Sequence, residues 1–414
     1  MKKFLYFLGL LLLFYSGLLI YDNTAFNTYD LSVEDEFISL DSIYIYGTHL
    51  NISGNYDLNE TTELVLYNGN FKSYPININN NNFNLSDYIN DGLYLDDIEI
   101  GKYYIFLRTK YTEDNTEKYK YYSIKNNTDY EEMLYYTMSN YNKKIVINSK
   151  NKYDTLMLNI SNNRNKNIYD IVIDPGHGGK DPGACRYKYC ETDFTMDIAL
   201  KLKTILEEYG LKVKLTYEKD SLSKDEKLNE YGEHGRAVVP HEVNAKYIFS
   251  IHLNSSNDTN INGFELYTAK NINYDFAKLL SNNVITTANI KHSNNTKNKV
   301  FDGIYSRNFT IDDINESLKQ YEKEKKIPYD FSVNSSYYYI IRETGGIVTG
   351  AYVDGRNGDV LENPYFKSNI GTEAYLLELG YLSNKNELNY IINNVDKYID
   401  GIAKSIKTLY DYNQ

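Results

Sequence analysis

Hydrophobic and polar positions divide the chain into three stretches of different period. Phe4 to Ile20 is an almost unbroken apolar run behind Met1-Lys2-Lys3. A removable signal usually has an apolar core of ~7–15 residues and a small-x-small cleavage site. This run is longer, and Tyr21-Asp22-Asn23 offers no such site. At ~1.5 Å per residue it just reaches across a thin hydrocarbon core. The positive-inside rule keeps Lys2 and Lys3 in the cytoplasm. Residues 1–28 are therefore expected to form a signal-anchor or transmembrane helix. The remainder then lies outside the cytoplasm, on the extracytoplasmic face of the cell membrane, or secreted if the leader is cleaved.

From about Leu31 to Ile160 apolar and polar residues alternate in short runs, as in Ser42 to Tyr46, Glu63 to Tyr67 and Tyr103 to Arg108. Turn signals separate them: Ser53-Gly54-Asn55, Asn68-Gly69-Asn70 and Asn90-Asp91-Gly92. This spacing predicts a small all-β, immunoglobulin-like sandwich over residues 31–160. No catalytic constellation falls there. His49 stands alone and reads as a surface or satisfied side chain. The module reads as a spacer or wall-contacting element, and the Asn-rich residues 161–168 as a linker.

Beyond Tyr169 the period changes again. Ile171 to Asp174 is a short apolar run ending in Pro-Gly, and Thr192 to Tyr209 has helical spacing and stops at Gly210. Lys212 to Thr216, Tyr247 to His252, Gly263 to Tyr267 and Ala374 to Leu379 read as further strands. Residues 169–414 are thus expected to form an α/β domain, a twisted mixed sheet flanked by helices.

Composition narrows the partners. A chain of 414 residues exceeds one compact core. At 42% hydrophobic it is not wholly disordered, collagenous or polytopic. A formal net charge of −12 argues against a general nucleic-acid binder, which needs an excess of Lys and Arg. Two Cys cannot make a disulfide scaffold.

The chemistry concentrates at the ends of the α/β elements. Asp174-Pro-Gly-His-Gly-Gly-Lys-Asp-Pro-Gly-Ala184 follows a strand, which places His177 where a sheet's carboxyl end delivers side chains to a ligand. Its glycines let the backbone pass close to something bulky, and no Gly-Lys-Ser/Thr marks a phosphate loop. Glu191 starts the next helix, His252 closes the strand Phe249 to His252, and Glu378 lies within the strand Leu376 to Gly380. A strand carboxylate of that kind is costly unless paired or working. His177, His252 and Glu191 make a three-ligand Zn²⁺ set with the fourth position left to water, as in a catalytic zinc site. Glu378 is the free carboxylate that takes a proton from water and hands it to the leaving nitrogen.

These motifs, with Ser250-Ile-His-Leu-Asn254 and Leu377-Glu-Leu-Gly-Tyr-Leu-Ser-Asn384, resemble the zinc-dependent N-acetylmuramoyl-L-alanine amidases, in family order from roughly Tyr169 to the C-terminus. The resemblance implies cleavage of the amide between N-acetylmuramic acid and L-alanine in peptidoglycan. It carries His177, Glu191 and His252 over as metal ligands and Glu378 as the catalytic carboxylate. Arg236 matches the family's helix arginine and Arg342 resembles the arginine before the catalytic strand. With Asn254 they are candidates for substrate binding or for support of the site. An activator, or a divisome or sporulation partner, is left open by the sequence.

The chain departs from the family at Pro240-His241, where Pro should break the helix. His234 and His241 are then spare imidazoles near the site, and His292 reads as surface. Residues of about 308–334 and 345–371 exceed the usual domain. The apolar stripe Ile311, Ile314, Leu318 and Tyr321 predicts a surface helix packed on the core, with a lid or regulatory element as the sharper reading. Ala351 to Gly358 could line a sugar or peptide groove. Cys185 and Cys190 bracket a short segment before Glu191 and suit either a disulfide, permitted in an exported protein, or two free thiols. Another zinc wall peptidase shares the same metal chemistry, and a non-catalytic wall-binding regulator on an amidase-like fold is the alternative from another class.

Overall fold

Alternating apolar positions put one face of each N-terminal strand into a common core. Phe37–Tyr46, His49–Asn55, Thr61–Tyr67, Gly101–Glu113, Thr116–Asn126, Lys143–Asn148 and Met157–Asn162 are its main strands. Ile43, Ile45, Leu50, Ile52, Leu64, Leu66, Ile105 and Leu107 meet there. The computed structural model describes residues 31–55, 61–79, 81–126, 132–219, 221, 226–325, 332–351 and 363–411. The expected signal-anchor, residues 1–28, lies outside the described residues. Among the described residues no helix is long and apolar enough to cross a membrane.

Among the described residues, twelve N-terminal strands and Ile370–Gly371 join into one branched network of thirteen hydrogen-bonded strands. Gly101–Glu113 is the branch point, pairing with Met157–Asn162 at its start and with Thr61–Tyr67 and Thr116–Asn126 further on. Ser53-Gly54-Asn55 is not a turn, as the sequence had suggested, but the end of a strand. A Cβ on Gly54 would lie 2.3 Å from the Ser39 carbonyl oxygen, so Gly is kept there by the close neighbouring strand and not by a turn.

A second sheet of seven strands carries the α/β domain. Val213–Leu215, Ile171–Pro175, Tyr247–Asn254 and Glu373–Tyr381 run parallel and side by side, and Glu265–Thr268 pairs antiparallel with the last of them. The apolar runs Ile171 to Ile173 and Tyr247 to Phe249 are what a parallel sheet covered on both faces requires. Thr192–Glu208, Asp275–Ala288 and Lys385–Asp411 cover one face through Leu202, Leu280 and Ile402. This is a mixed α/β domain with a twisted sheet flanked by helices.

The two halves meet at the amino-terminal ends of the parallel strands. Tyr247 and Glu373, the first residues of two central strands, bond Thr48 Oγ1 at 3.3 Å and Asn90 Nδ2 at 2.7 Å. Ile370–Gly371, from the second insertion, adds a parallel strand beside Ile45 and Tyr46. The carboxyl ends of the sheet strands, which carry the candidate chemistry, point the other way.

The first insertion differs from expectation. Ile311–Glu324 is a helix with a capping box between Thr310 and Asp313, but its stripe does not pack on the core. Tyr321 is its buried residue, while Ile311 is 67% and Leu318 43% exposed. Phe309, Tyr337, Tyr338 and Arg342 face it across a groove of about 880 Å³. Pro240 does not break a helix; it lies in the first turn of the short helix Val239–Glu242, where its missing N–H costs nothing. His292 is half-buried, its Nε2 3.1 Å from Ser281 Oγ, and not a surface residue. Residues 352–358, most of the suggested groove segment, lie outside the described residues.

Candidate active site

The strand Ile171–Pro175 delivers the chain into a tight loop in which His177 takes a left-handed conformation, φ 61°. That conformation is sparsely populated for a non-glycine residue, and neighbouring bonds hold it. Thr195 Oγ1 donates to the Gly176 carbonyl and Tyr217 Oη to the His177 carbonyl, both at 2.8 Å. A Cβ on Gly176 would lie 2.6 Å from the His252 ring, and one on Gly183 2.6 Å from the His177 ring and 2.8 Å from Glu191. These glycines make room for the site's own ligands.

Glu191 immediately precedes the helix Thr192–Glu208 and is 5% exposed. Its Oε2 lies 3.0 Å from His177 Nε2 and 3.3 Å from His252 Nδ1, and its Oε1 accepts from the Ala184 N–H at 2.8 Å. Burial alone would raise this carboxyl, but the bonds and charges of His177 and His252 bring it down to about 2. Burial lowers His252 below its ordinary value. His177 Nδ1 lies 2.7 Å from Asp181 Oδ2, which turns Nε2 toward Glu191. Partial burial opposes ionisation of Asp181, but His177 and the Gly183 N–H hold it below the usual carboxylate value.

One donor atom from each of His177, Glu191 and His252 falls within 4.8 Å of the others. Two imidazole nitrogens and a carboxylate oxygen converging from three elements fit Zn²⁺ in donor type and number. Asp181 supplies the outer carboxylate that zinc-binding imidazoles usually have. His234 is instead exposed and lies 3.0 Å from Glu242, and His241 stacks on Tyr365 at 4.7 Å. Neither is in the cluster.

Glu378 is the register partner of His252 on the adjacent strand. Its Oε2 is buried without a hydrogen-bond partner. Burial, with the nearby charges of Glu191 and Glu265, pushes this carboxyl well above its ordinary value. A carboxyl so placed readily takes and holds a proton, as a general base and acid must.

The remaining candidates stand behind these four. Arg236 is 4% exposed and forms a two-pronged pair with Asp174, Nε–Oδ1 2.7 Å and Nη2–Oδ2 2.8 Å. Ser250 and Thr216 donate to the same carboxylate. Arg236 thus anchors the start of the His177 loop. Arg342 is 2% exposed and bonds Glu343 and the carbonyls of Ser336 and Tyr337, so it braces the insertion. Asn254 Nδ2 bonds Glu265 Oε2 at 3.0 Å. Cys185 and Cys190 form a disulfide across the hairpin before Glu191. Asp181 and Glu265 were missed by sequence reasoning. Glu265 carried a usable signal, since it is a carboxylate in an apolar strand like Glu378.

An α/β domain that gathers two imidazoles and two carboxylates at the carboxyl ends of its strands has the layout of a hydrolytic centre. Residues 171–316 match the family model of N-acetylmuramoyl-L-alanine amidase. A probable cell wall amidase, LytH, of Staphylococcus aureus is 32% identical over 100 residues, 23% of this chain and 30% of the relative. The chain therefore matches less than a third of the length of these curated relatives. Among solved structures, the catalytic domain of the amidase CwlV from Bacillus (Paenibacillus) polymyxa var. colistinus is 24% identical, with a TM-score of 0.36 over 59% of this chain and 99% of that one. The amidase AmiC2 of Nostoc punctiforme is 20% identical, with a TM-score of 0.33 over 59% and 97%.

Proposed function

We propose that the protein is a zinc-dependent hydrolase of peptidoglycan that cuts the amide between N-acetylmuramic acid and L-alanine, outside the cytoplasm. The observation that carries this reading is the convergence of His177, Glu191 and His252 within 4.8 Å, with Glu378 in register beside His252. His177, Glu191 and His252 would hold Zn²⁺. Bound there, the ion supplies Lewis-acid polarisation and a water acidified toward neutral pH. Glu378 takes the proton of the attacking water on its carboxylate and delivers it to the leaving nitrogen of L-alanine. Asp181 keeps the His177 ring in place, and the Asp174–Arg236 pair fixes the loop that carries it.

Residues 1–28 serve as the anchor in this reading, and the N-terminal β-rich module as a spacer or wall contact. The helix Ile311–Glu324 acts as a lid. Tyr338, on the wall of the groove it faces, lies close enough to feel the charge of Glu378. Deleting residues 308–334 should change activity on purified wall; unchanged activity would remove the lid. The amidase reading is tested by digesting purified peptidoglycan and identifying fragments by mass. New N-terminal alanine and intact muramic lactyl groups support it, whereas cuts within the stem peptide identify a wall peptidase instead.

A further inference from the structure

The strand carrying Glu378 has one residue more than its partner between two paired positions. His252 faces Glu378, but Asn254 faces Tyr381. A bulge of this kind turns a side chain that would lie on the opposite face of a strand onto the same one. Tyr381, three residues beyond Glu378, thereby reaches the face on which Glu378 lies. There its hydroxyl donates to Glu265 Oε1. Glu265 is directly opposite Glu378 in the antiparallel pair and is 0% exposed. Its Oε2 accepts from Asn254 Nδ2 at 3.0 Å and Tyr267 Oη at 2.7 Å. One buried carboxylate thus ties the residue two positions past His252 to the residue three positions past Glu378. The backbone N–H of Tyr381 is taken up by Glu387 Oε2 at 2.8 Å.

We infer that Glu265 is a positioning residue for the reaction, the clamp that fixes the bulge and so aims His252 and Glu378 at one point. This rests on the amidase reading for its kinetic consequences, not for its geometry. Three donors converge on Glu265, and a core that needed only filling would use an apolar side chain in its place. Loss of the clamp frees the ends of both strands beyond the ligand and the proton carrier. Misplacement on that scale and loss of an outer support of a metal ligand each cost about tenfold or more.

The test compares Glu265→Gln, Glu265→Ala and Tyr381→Phe in the full chain. Tyr381→Phe removes a single hydroxyl and keeps the ring. Zinc affinity is read by competition with a chromophoric chelator, and kcat and KM on solubilised peptidoglycan. The clamp predicts that kcat falls about tenfold in Tyr381→Phe and further in Glu265→Ala, with KM little changed and zinc affinity weakened in Glu265→Ala. It also predicts that the Glu265→Ala/Tyr381→Phe double variant is no worse than Glu265→Ala alone. Wild-type kcat and zinc affinity in folded Glu265→Gln and Tyr381→Phe, or additive losses in the double variant, would overturn it. A wild-type protein that releases no N-terminal alanine sinks the amidase reading instead, and the zinc titrations still decide the clamp.

Discussion

His252 and Glu378 are paired across adjacent parallel strands, so the proposed metal ligand and the proposed proton carrier leave the sheet side by side. The pairing separates their roles. Glu378 is outside the three-donor cluster, and its replacement by Gln leaves His177, Glu191 and His252 in place. Glu378→Gln should retain zinc at wild-type stoichiometry, measured by metal analysis after dialysis. Hydrolysis of purified peptidoglycan should fall by roughly 10²–10⁴-fold, the usual contribution of a positioned general acid–base. Full activity in this variant would sink the assigned role.

Asp181 reaches the proposed metal site through His177 and the adjoining loop. Its Oδ2 holds His177 Nδ1 at 2.7 Å, and its Oδ1 accepts from the Gly183 N–H at 3.0 Å. Asp181→Ala removes both and lets the ring turn in its loop. Zinc affinity should weaken by about 10–100-fold, as for other carboxylates behind a metal-bound imidazole. Equal affinities for variant and wild type in a chelator competition would show that the loop backbone suffices to orient His177.

Much of this site was legible because its residues sit in apolar strands or glycine-rich loops, where a polar side chain needs a reason. His177, His252 and Glu378 came from that logic, and Glu191 from its place at the start of the helix after the His177 loop. Glu265 obeys the same logic but lacks a neighbouring motif, and its partners Asn254 and Tyr381 lie 11 and 116 residues away, on two other strands. The bulge that unites them is a property of the pairing register, which no local pattern reveals. Pro240 misled because proline breaks a helix interior but suits its first turn, and the difference is one of position. Gly54 misled because a glycine crowded by the Ser39 carbonyl reads in sequence like one in a turn. The stripe Ile311, Ile314, Leu318 and Tyr321 did form a helix, but periodicity says nothing of what lies opposite its face.

The junction between the two halves should titrate. Glu373 is 4% exposed; burial pushes its carboxyl up to about 7, against partial relief from Tyr375 and Asn90. A carboxyl with a raised folded value binds more protons folded than unfolded between pH 4.5 and 7, so its contribution to stability is lost as pH rises through that window. At about 1.4 kcal/mol per unit the full change is about 3 kcal/mol. Gln keeps the oxygen that accepts from Asn90 and Tyr375 but cannot ionise. Chemical denaturation of Glu373→Gln and wild type at a series of pH values should therefore show the variant gaining on wild type as pH rises from 4.5 to 7.5. A stability difference independent of pH would refute this account of Glu373.

The disulfide between Cys185 and Cys190 closes a short hairpin directly before Glu191, and Tyr187 at its tip donates to the Ser383 carbonyl at 3.2 Å. A loop this short, with a sequence separation of 5, restricts the unfolded chain by about 2 kcal/mol in the chain-entropy account. The Cys185→Ser/Cys190→Ser variant should lose about that much stability in denaturant titrations. Intact mass should rise by two hydrogens when the oxidised wild type is treated with reductant. Zinc affinity should survive, because Glu191 Oε1 is held by the Ala184 N–H, on the near side of the hairpin, and its Oε2 by the two imidazoles. Loss of zinc on reduction would instead make the hairpin the element that places Glu191.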